Sequence, residues 1–284
     1  MTVSVVYCFD KTYARYAVVS CHSAWRNASS PLIFHWIFPA EIGRLVRRMC
    51  RKLRAVGIEI MLHPVSGRPF SEWSYHGYYS AAVYLRLLIP LYVEESRAIY
   101  VDADTVVTCD LSVLDKIDMH GKLLGGVSDA CAAATTSMKF TTNDIYINTG
   151  VMLMDLDAIR SDCFEKKLVA IQATHGAQAT YVDQCLLNRY AEGRKHLLSP
   201  IWNNMIFCNR NSPDQAIELL KSGCGTLFHF VGPMKPWHMN SNEIFARFWL
   251  HHAVKIMPVW VFFVRSQRLL NIFRPLMRLL LRRR

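Results

Sequence analysis

Short runs of apolar, β-branched and aromatic residues alternate along this chain with stretches of helical spacing. Seven of these runs predict β-strands, at 3–9, 32–38, 57–63, 97–101, 123–127, 146–156 and 225–230. Helical spacing covers residues 11–25 and 40–57, and the second segment ends at Gly57. Because strands alternate with helices, the pattern favours an α/β fold with a mostly parallel sheet and helices on both faces.

Two carboxylates, Asp102 and Asp104, follow the strand predicted at 97–101. Ligands of parallel α/β sheets bind outside the carboxyl ends of the strands, which is where this pair lies. Residues two apart in an extended segment face the same way, so both carboxylates can converge on one cation. The alternative is a turn or helix-capping aspartate pair, which surface loops often contain.

His229 ends another predicted strand and opens the segment HFVGPMKPWH. One imidazole with two carboxylates suits Mn²⁺, or less specifically Mg²⁺, with open positions for phosphate oxygens. Gly232 permits a close approach of the backbone, and Lys235 supplies a point charge suited to a phosphate. The alternative for His229 is a core histidine with its hydrogen bonds satisfied.

Three other segments carry polar residues in apolar surroundings. Asn148 and Gly150 interrupt a core-like strand, which indicates either a bulge or space for a neighbouring group. Asp183 and Gln184 lie at a predicted helix start, where Asp183 could simply serve as the N-cap. Arg86 lies in an apolar helical segment, 78–90, and a buried arginine requires a carboxylate or a diphosphate as partner.

The composition excludes several classes of protein. An apolar share of 52% excludes a disordered chain. No run reaches the roughly 18 apolar residues of a membrane-spanning helix, and no signal peptide is predicted at the N-terminus. Nine cysteines without a C-x-x-C pair argue against a disulfide framework and a zinc knuckle, and favour reduced thiols in a cytosolic protein.

The net charge of +11 is concentrated in two segments. Residues 44–54 hold six basic residues and no acid, and the last twenty residues hold seven arginines and no acid. Without these thirteen, 20 Lys and Arg stand against 22 Asp and Glu, so the rest of the chain is nearly neutral. The excess positive charge therefore belongs to these two segments and not to the chain as a whole, and nucleic-acid binding is not expected.

The C-terminal segment mixes its arginines with many aromatic and aliphatic residues. We expect residues 251–284 to form a basic amphipathic tail on an anionic membrane surface, after a nucleotide-sugar-binding catalytic domain over 1–250. A C-terminal helix docked on the catalytic domain is the alternative. The basic helix at 44–54 is either a second contact with the same surface or a solvated face.

Taken in order, these motifs resemble glycosyltransferase family 8, in particular its bacterial lipopolysaccharide α-galactosyl- and α-glucosyltransferases. The resemblance spans residues 3 to about 240, and its segments are YCFDKTY (7–13), YLRLLIP (84–90), IYVDADTVV (99–107), NTGVMLMDL (148–156), DQCLLN (183–188) and HFVGPMKPWH (229–238). H-x-x-G-x-x-K-P-W is the most specific of them. The resemblance implies a Rossmann-like, glycosyltransferase A type fold.

The resemblance also implies roles for individual residues. The implied Mn²⁺ ligands are Asp102, Asp104 and His229. The implied nucleotide-sugar contacts are Cys8, Asp10, Tyr13, Arg86, Asp102, Ala103, Asn148, Gly232 and Lys235. Asp183 and Gln184 are implied at the reacting centre and Asp129 at the acceptor, beside a region, 127–144, whose small polar residues suggest mobility.

The expected function is therefore a retaining, Mn²⁺-dependent hexosyltransferase that moves galactose or glucose from a UDP-sugar to a lipid-linked glycan such as lipopolysaccharide or lipooligosaccharide. The expected location is cytoplasmic, peripheral on the inner face of the cell membrane. Two alternatives remain open: a self-glucosylating glycan starter with the same fold, and a non-catalytic membrane-surface binding protein.

Overall fold

The computed structural model describes residues 2–67, 70, 72–73, 81–141, 143–210, 212–223 and 225–262. The strands are β1 Val3–Cys8, β2 Leu32–Pro39, β3 Glu59–Val65, β4 Arg97–Val101, β5 Thr105–Val107, β6 Leu124–Ser128, β7 Ile147–Asp155, β8 Lys195–Leu197, β9 Asn204–Ile206 and β10 Leu227–Phe230. The α-helices are α1 Ala14–Asn27, α2 Gly43–Arg54, α3 Ile89–Tyr92, α4 Leu111–Asp115, α5 Ala130–Thr135, α6 Leu156–Ser161, α7 Phe164–His175, α8 Val182–Tyr190, α9 Pro213–Ser222 and α10 Glu243–Val254.

A seven-stranded sheet has the order β3-β2-β1-β4-β7-β6-β8. β3, β2, β1 and β4 are parallel, as are β6 and β8, whereas β7 is antiparallel to both of its neighbours. The α/β fold with a mostly parallel sheet is thus confirmed. The seven predicted strands are present, each within a few residues of its expected position.

Helices cover both faces of this sheet. On β1, Val6 points into a core that includes Leu186 of α8, whereas the neighbouring Tyr7 hydrogen-bonds Ser20 of α1 on the other face (2.9 Å between hydroxyl oxygens). A strand buried on both faces carries continuous apolar residues, which explains why the sequence here shows no alternation.

The segment with Arg86 differs from the predicted helix. Within the described residues it is a 3-10 helix over Ala81–Leu88, followed by the single turn of α3. Pro90 lies in the first turn of α3, where a backbone N–H has no partner within the helix, so its absence costs no hydrogen bond. In the interior of a longer α-helix the same proline would remove a hydrogen bond, so it prevents one continuous α-helix over this segment. Residues 78–80, which begin the predicted segment, lie outside the described residues.

Two compact units make up the described chain. The first spans Met1–Met205 and Gly223–His229, and the second Ile206–Ser222 and Phe230–Arg284, each over its described residues. The predicted division after residue 250 falls inside α10, and residues 263–284 of the tail lie outside the described residues. The tail's role therefore stays a prediction.

The described part of the chain contains most of the cysteines and the ten α-helices given above. Eight cysteines lie there, and all eight are free thiols. Among the helices of these described ranges, none has the length and apolar character needed to cross a bilayer.

Candidate functional site

Asp102 follows β4 directly and is held by contacts on its backbone and on one carboxylate oxygen. Its backbone N–H donates to the carbonyl of Gly150 on β7 (2.7 Å). Its Oδ1 accepts from the Arg86 guanidinium (2.9 Å) and from the Tyr100 hydroxyl. The anchored Oδ1 leaves Oδ2 as the oxygen that faces the other predicted ligands.

Asp102, Asp104 and His229, which we call the triad, come together in space. The pairing of β10 with β5 places His229 opposite Thr105, next to the D-x-D segment. His229 Nε2 lies 3.6 Å from Asp102 Oδ2 and 3.5 Å from Asp104 Oδ1. One ligand atom from each residue lies within 4.8 Å of the other two, a spacing that a single cation can bridge.

Gly150 leaves the space in which the triad fits. A Cβ at this position would lie 2.1 Å from His229 Cε1 and 2.7 Å from Asp102 Oδ2. The β6–β7 register is also irregular here, because Gly125 pairs with Leu153 whereas Val127 pairs with Asn148. Both expectations for Gly150, a bulge and a close neighbour, are therefore met.

The donor set fits a hard or borderline divalent cation. Two carboxylate oxygens and one imidazole nitrogen suit Mn²⁺ and Mg²⁺ better than soft ions, which prefer thiolates. His229 and Asp104 are buried, and Asp102 is partly exposed, which leaves an approach for a substrate oxygen. His229 is also hydrogen-bonded through Nδ1 to Asn203 (2.9 Å).

Arg86 joins Asp102 to Asp183. Its Nε lies 3.0 Å from Asp183 Oδ2, although the two are not aligned as a hydrogen bond, and its Nη1 donates to the Thr149 carbonyl (3.0 Å). The guanidinium also lies over the Tyr100 ring, 4.7 Å from the centroid. This arginine, whose side chain is 11% exposed, thus has carboxylate partners, the first of the two alternatives that the sequence left open.

Asp183 lies in the first turn of α8 and does not cap it. The N-cap is Tyr181, which makes no side-chain cap bond, so the capping alternative is wrong. The carboxylate instead turns inward to Arg86, and burial raises the pKa of Asp183 to about 6 even though Arg86 opposes that shift. Val182, just before it, has a φ of 46°, a strained conformation for a β-branched residue.

Asn148, Gln184 and Asp129 form one hydrogen-bonded group. Asp129 Oδ2 accepts from Asn148 Nδ2 (3.0 Å) and from Gln184 Nε2 (3.3 Å). Gln184 Oε1 accepts from the backbone N–H of Thr149 (3.2 Å), and Asp129 Oδ1 caps α5 through the N–H of Ala132 (2.9 Å). The predicted sugar and acceptor residues are thus adjacent and fixed by one another.

Cys8, Asp10 and Tyr13, three of the implied nucleotide-sugar contacts, lie at the end of β1 and in the loop that follows it. Burial raises the pKa of the Cys8 thiol, which also feels the charges of Arg86 and Asp102. Burial, followed by the charges of Asp104 and Asp102, likewise raises the pKa of Tyr13. Asp10 Oδ1 accepts from the backbone N–H groups of Thr12 (2.8 Å) and Tyr13 (3.2 Å), which fixes this loop. Ala103, between the two aspartates, is buried.

Gly232 and Lys235 belong to the second unit. Gly232 has a φ of 79°, the left-handed region that favours glycine, and a Cβ there would approach Phe207 at 3.5 Å. Lys235 is buried, and its Nζ donates to the carbonyl of Phe230 (2.7 Å). Their predicted contacts with phosphate or sugar stay predictions.

Residues 4–241 match the family model of glycosyl transferase family 8. The chain belongs to this family. The family-8 assignment covers most of the chain and all the motifs described above.

Several individual proteins are similar to the chain at modest identity. The chain is 27% identical over 199 residues to glycosyltransferase GlyF of Streptococcus pneumoniae serotype 4 (70% of this chain, 48% of GlyF). It is 31% identical over 177 residues to GlyB of the same strain (60% of this chain, 41% of GlyB). General stress protein A of Bacillus subtilis strain 168 is 24% identical over 266 residues (87% of this chain, 92% of that protein). The chain thus spans about half or less of GlyF and GlyB.

Solved structures show the same fold. The galactosyltransferase LgtC, crystallised with donor and acceptor sugar analogues, matches with a TM-score of 0.77 at 22% identity, over 90% of this chain and 96% of that one. GlyE of Streptococcus pneumoniae TIGR4 matches with a TM-score of 0.66 at 20% identity, over 92% of this chain and 64% of that one. At this identity the likeness establishes the glycosyltransferase A type fold.

Three residues of the candidate site were not predicted from the sequence. Tyr100 binds Asp102, Thr149 binds Arg86 through its carbonyl, and Asn203 binds His229. Tyr100 and Thr149 lie in strands whose mainly apolar sequences indicate ordinary core positions. Asn203, in the segment IWNNMIF, is polar between apolar neighbours, a signal of the same kind as Asn148.

Proposed function

We propose that this chain transfers galactose or glucose from a UDP-sugar to a lipopolysaccharide, a lipooligosaccharide or a related lipid-linked glycan, with a divalent metal ion, Mn²⁺ or else Mg²⁺, and with retention of the anomeric configuration. The observation that carries the proposal is the triad of Asp102, Asp104 and His229 in a chain of family 8. When bound, the ion would supply positive charge opposite a leaving diphosphate.

Arg86 prepares the triad in this proposal. By holding Asp102 Oδ1, it turns Oδ2 toward His229 and Asp104. A preorganised site of this kind does not have to reorganise as negative charge develops on the leaving group. The predicted contribution of Lys235 is a further positive charge at phosphate.

The side chains at the proposed reacting centre favour front-face attack over double displacement. The amide oxygen of Gln184 can stabilise positive charge that develops on the sugar. It is a poor nucleophile, because an amide oxygen is far less basic than a carboxylate. The Asp183 carboxylate is buried against Arg86, with its side chain 5% exposed. Asp129 already accepts three hydrogen bonds. We therefore assign Asp183 to positioning Arg86 and Gln184 to the sugar.

Release of UDP across a panel of UDP-sugars, with Mn²⁺ and then with EDTA, tests this function. We expect metal-dependent turnover with one donor, lost in Asp104→Ala and retained in Asp110→Ala. Asp110 is a matched control because its hydrogen bonds are with Ser112, whose backbone N–H it accepts as the cap of α4, and with Ser29, and not with the triad. If folded protein releases no UDP from any donor, even with detergent-extracted lipopolysaccharide present, the proposal is wrong.

We also propose peripheral attachment to an anionic membrane through the tail, on the cytoplasmic face where UDP-sugars would be available. Val259 and Phe262, at the end of the described chain, are 69% and 68% exposed, which supports an apolar contact there. Arg44, Arg47 and Arg48 lie on an exposed face of α2 that could add a second contact.

Flotation with vesicles of phosphatidylglycerol and phosphatidylcholine separates these two contacts. A chain ending at residue 262 should lose binding, and Arg44→Gln/Arg47→Gln/Arg48→Gln should lose it only if α2 is a second contact. Undiminished flotation of the shortened chain would exclude the tail.

A further inference from the structure

A chain of hydrogen bonds runs through the first unit and ends at His229. Its members are Asp129, Asn148, Asn203 and His229. The three links measure 3.0 Å, 2.9 Å and 2.9 Å in that order. Asn148, Asn203 and His229 are all less than a tenth exposed, so water cannot readily replace these partners.

The orientation of the Asn148 amide follows from two unambiguous neighbours. A backbone N–H can only donate, and the N–H of Gly150 lies 3.0 Å from Asn148 Oδ1. A carboxylate accepts, and Asp129 Oδ2 lies 3.0 Å from Asn148 Nδ2. The reversed amide would place an N–H against an N–H and an oxygen against a carboxylate, so the observed orientation is the only one that satisfies both.

This orientation determines that of Asn203. Asn148 Oδ1 can only accept, so the Asn203 atom 2.9 Å away is the donor Nδ2. The oxygen of Asn203 then faces His229 Nδ1 at 2.9 Å. Because an amide oxygen can only accept, Nδ1 of His229 must carry the hydrogen of this bond.

The neutral imidazole then has its lone pair on Nε2. Nε2 is the nitrogen that lies 3.5 Å from Asp104 and 3.6 Å from Asp102. A metal ligand needs a bare nitrogen, and ligating histidines commonly donate their other N–H to an oxygen that fixes the ring. The two carboxylates by themselves would favour a hydrogen on Nε2, so the opposite tautomer needs a partner on Nδ1.

We infer that Asn203 is a positioning residue that holds His229 in the Nδ1–H tautomer and orients Nε2 toward the metal of the proposed function. Asn203 reaches no metal itself, because its oxygen is committed to Nδ1 and its nitrogen to Asn148. The inference rests on the proposed function for its purpose, but the tautomer can be measured without any activity.

Nitrogen-15 NMR of the histidine rings in metal-free protein tests the tautomer directly. We expect a protonated Nδ1 and an unprotonated Nε2 in the wild type. In Asn203→Leu, which offers no acceptor, the hydrogen should move to Nε2. Asn203→Asp loses the donor to Asn148 but keeps an acceptor for Nδ1, so it should keep the wild-type tautomer.

Mn²⁺ binding, followed by electron paramagnetic resonance, is the second measurement. Asn203→Leu should weaken it about 10- to 100-fold, the usual effect of losing the partner of a ligating histidine, and Asn203→Asp much less. Asn188→Leu is a matched control, because Asn188 is also buried but binds the backbone of Ile147 and Gln184. It should leave the tautomer and the Mn²⁺ affinity unchanged.

The outcomes of these measurements distinguish the positioning role of Asn203 from the metal binding of the proposed function. A wild-type protein with the hydrogen on Nε2, or an Asn203→Leu variant that keeps Nδ1–H and binds Mn²⁺ as tightly as the wild type, would overturn the role of Asn203. If Asn203→Leu does not fold, the wild-type spectrum alone decides the tautomer. A wild type that shows Nδ1–H but binds no Mn²⁺ would support the positioning role and refute the proposed metal.

Discussion

Gly150→Ala should damage the triad while leaving the rest of the fold in place. The added methyl would lie 2.1 Å from His229 Cε1, whereas ordinary van der Waals contact begins at 3.4 Å. The imidazole would therefore have to retreat by about 1.3 Å, and Asp102 Oδ2, 2.7 Å from the new methyl, by about 0.7 Å. The backbone at Gly150 is not in the left-handed region, so the cost comes from space alone.

These displacements can be converted into measurable effects. Overpacking a filled interior typically costs about 1–3 kcal/mol in the free energy of unfolding. Ligand distances at a metal site vary by only about 0.2 Å, so a shift of this size should lower Mn²⁺ affinity at least as much as the roughly 10- to 100-fold loss that follows removal of an outer-shell partner.

Mn²⁺ titration by electron paramagnetic resonance, together with urea unfolding, measures both effects. Gly125→Ala is the matched control, because it adds a methyl to the same sheet, and the nearest neighbours of that methyl are the apolar side chains of Met119, Leu153 and Leu198. It should lose some stability and keep its Mn²⁺ affinity. Tight Mn²⁺ binding by folded Gly150→Ala would refute the reasoning, since it would mean that the methyl and the bound ion fit together.

Three further predictions concern Asp183, Arg86 and Asp104. The pKa of Asp183 is raised to about 6 in the folded state against 3.8 ordinarily, so the free energy of unfolding should fall as the pH rises from about 4 to 6. Asp183→Asn should remove this slope in urea titrations, and an identical slope would contradict the assignment. Arg86→Met leaves two carboxylates without their cation and should cost about 3–5 kcal/mol at neutral pH, whereas a loss below 1 kcal/mol would contradict the bridging role. Mn²⁺ at 100 times its dissociation constant should raise the free energy of unfolding by about 2.7 kcal/mol, and Asp104→Asn should abolish this gain; equal stabilisation of both would place the ion elsewhere.

The sequence predicted the large features of the fold because each had a long or repeated pattern. Strands such as β1 and β2 are continuous apolar runs, and α2 has a regular apolar face. The three-residue strands β5, β8 and β9 were not predicted, since so few residues establish no period. The antiparallel direction of β7 was equally hidden, because apolar alternation carries no information about chain direction.

Some residues of the candidate site could be predicted from the sequence, whereas others could not. Asp102, Asp104 and His229 were found because each stands where an apolar strand ends and a polar residue is unexpected. The partners of these residues could not be found, since hydrogen bonds such as that from His229 to Asn203 join positions 26 residues apart with no local signature. Asp183 illustrates the limit: helix-start chemistry suggested a cap, but the partner that determined its direction, Arg86, lies far away in sequence.

Anomalous diffraction from a crystal grown with Mn²⁺ and UDP tests the central claim most directly. The account predicts one strong anomalous peak within about 2.5 Å of Asp102 Oδ2, an Asp104 carboxylate oxygen and His229 Nε2, with UDP phosphate oxygens at its open positions. Bound UDP with no manganese at the triad, or manganese held by other residues, would contradict it.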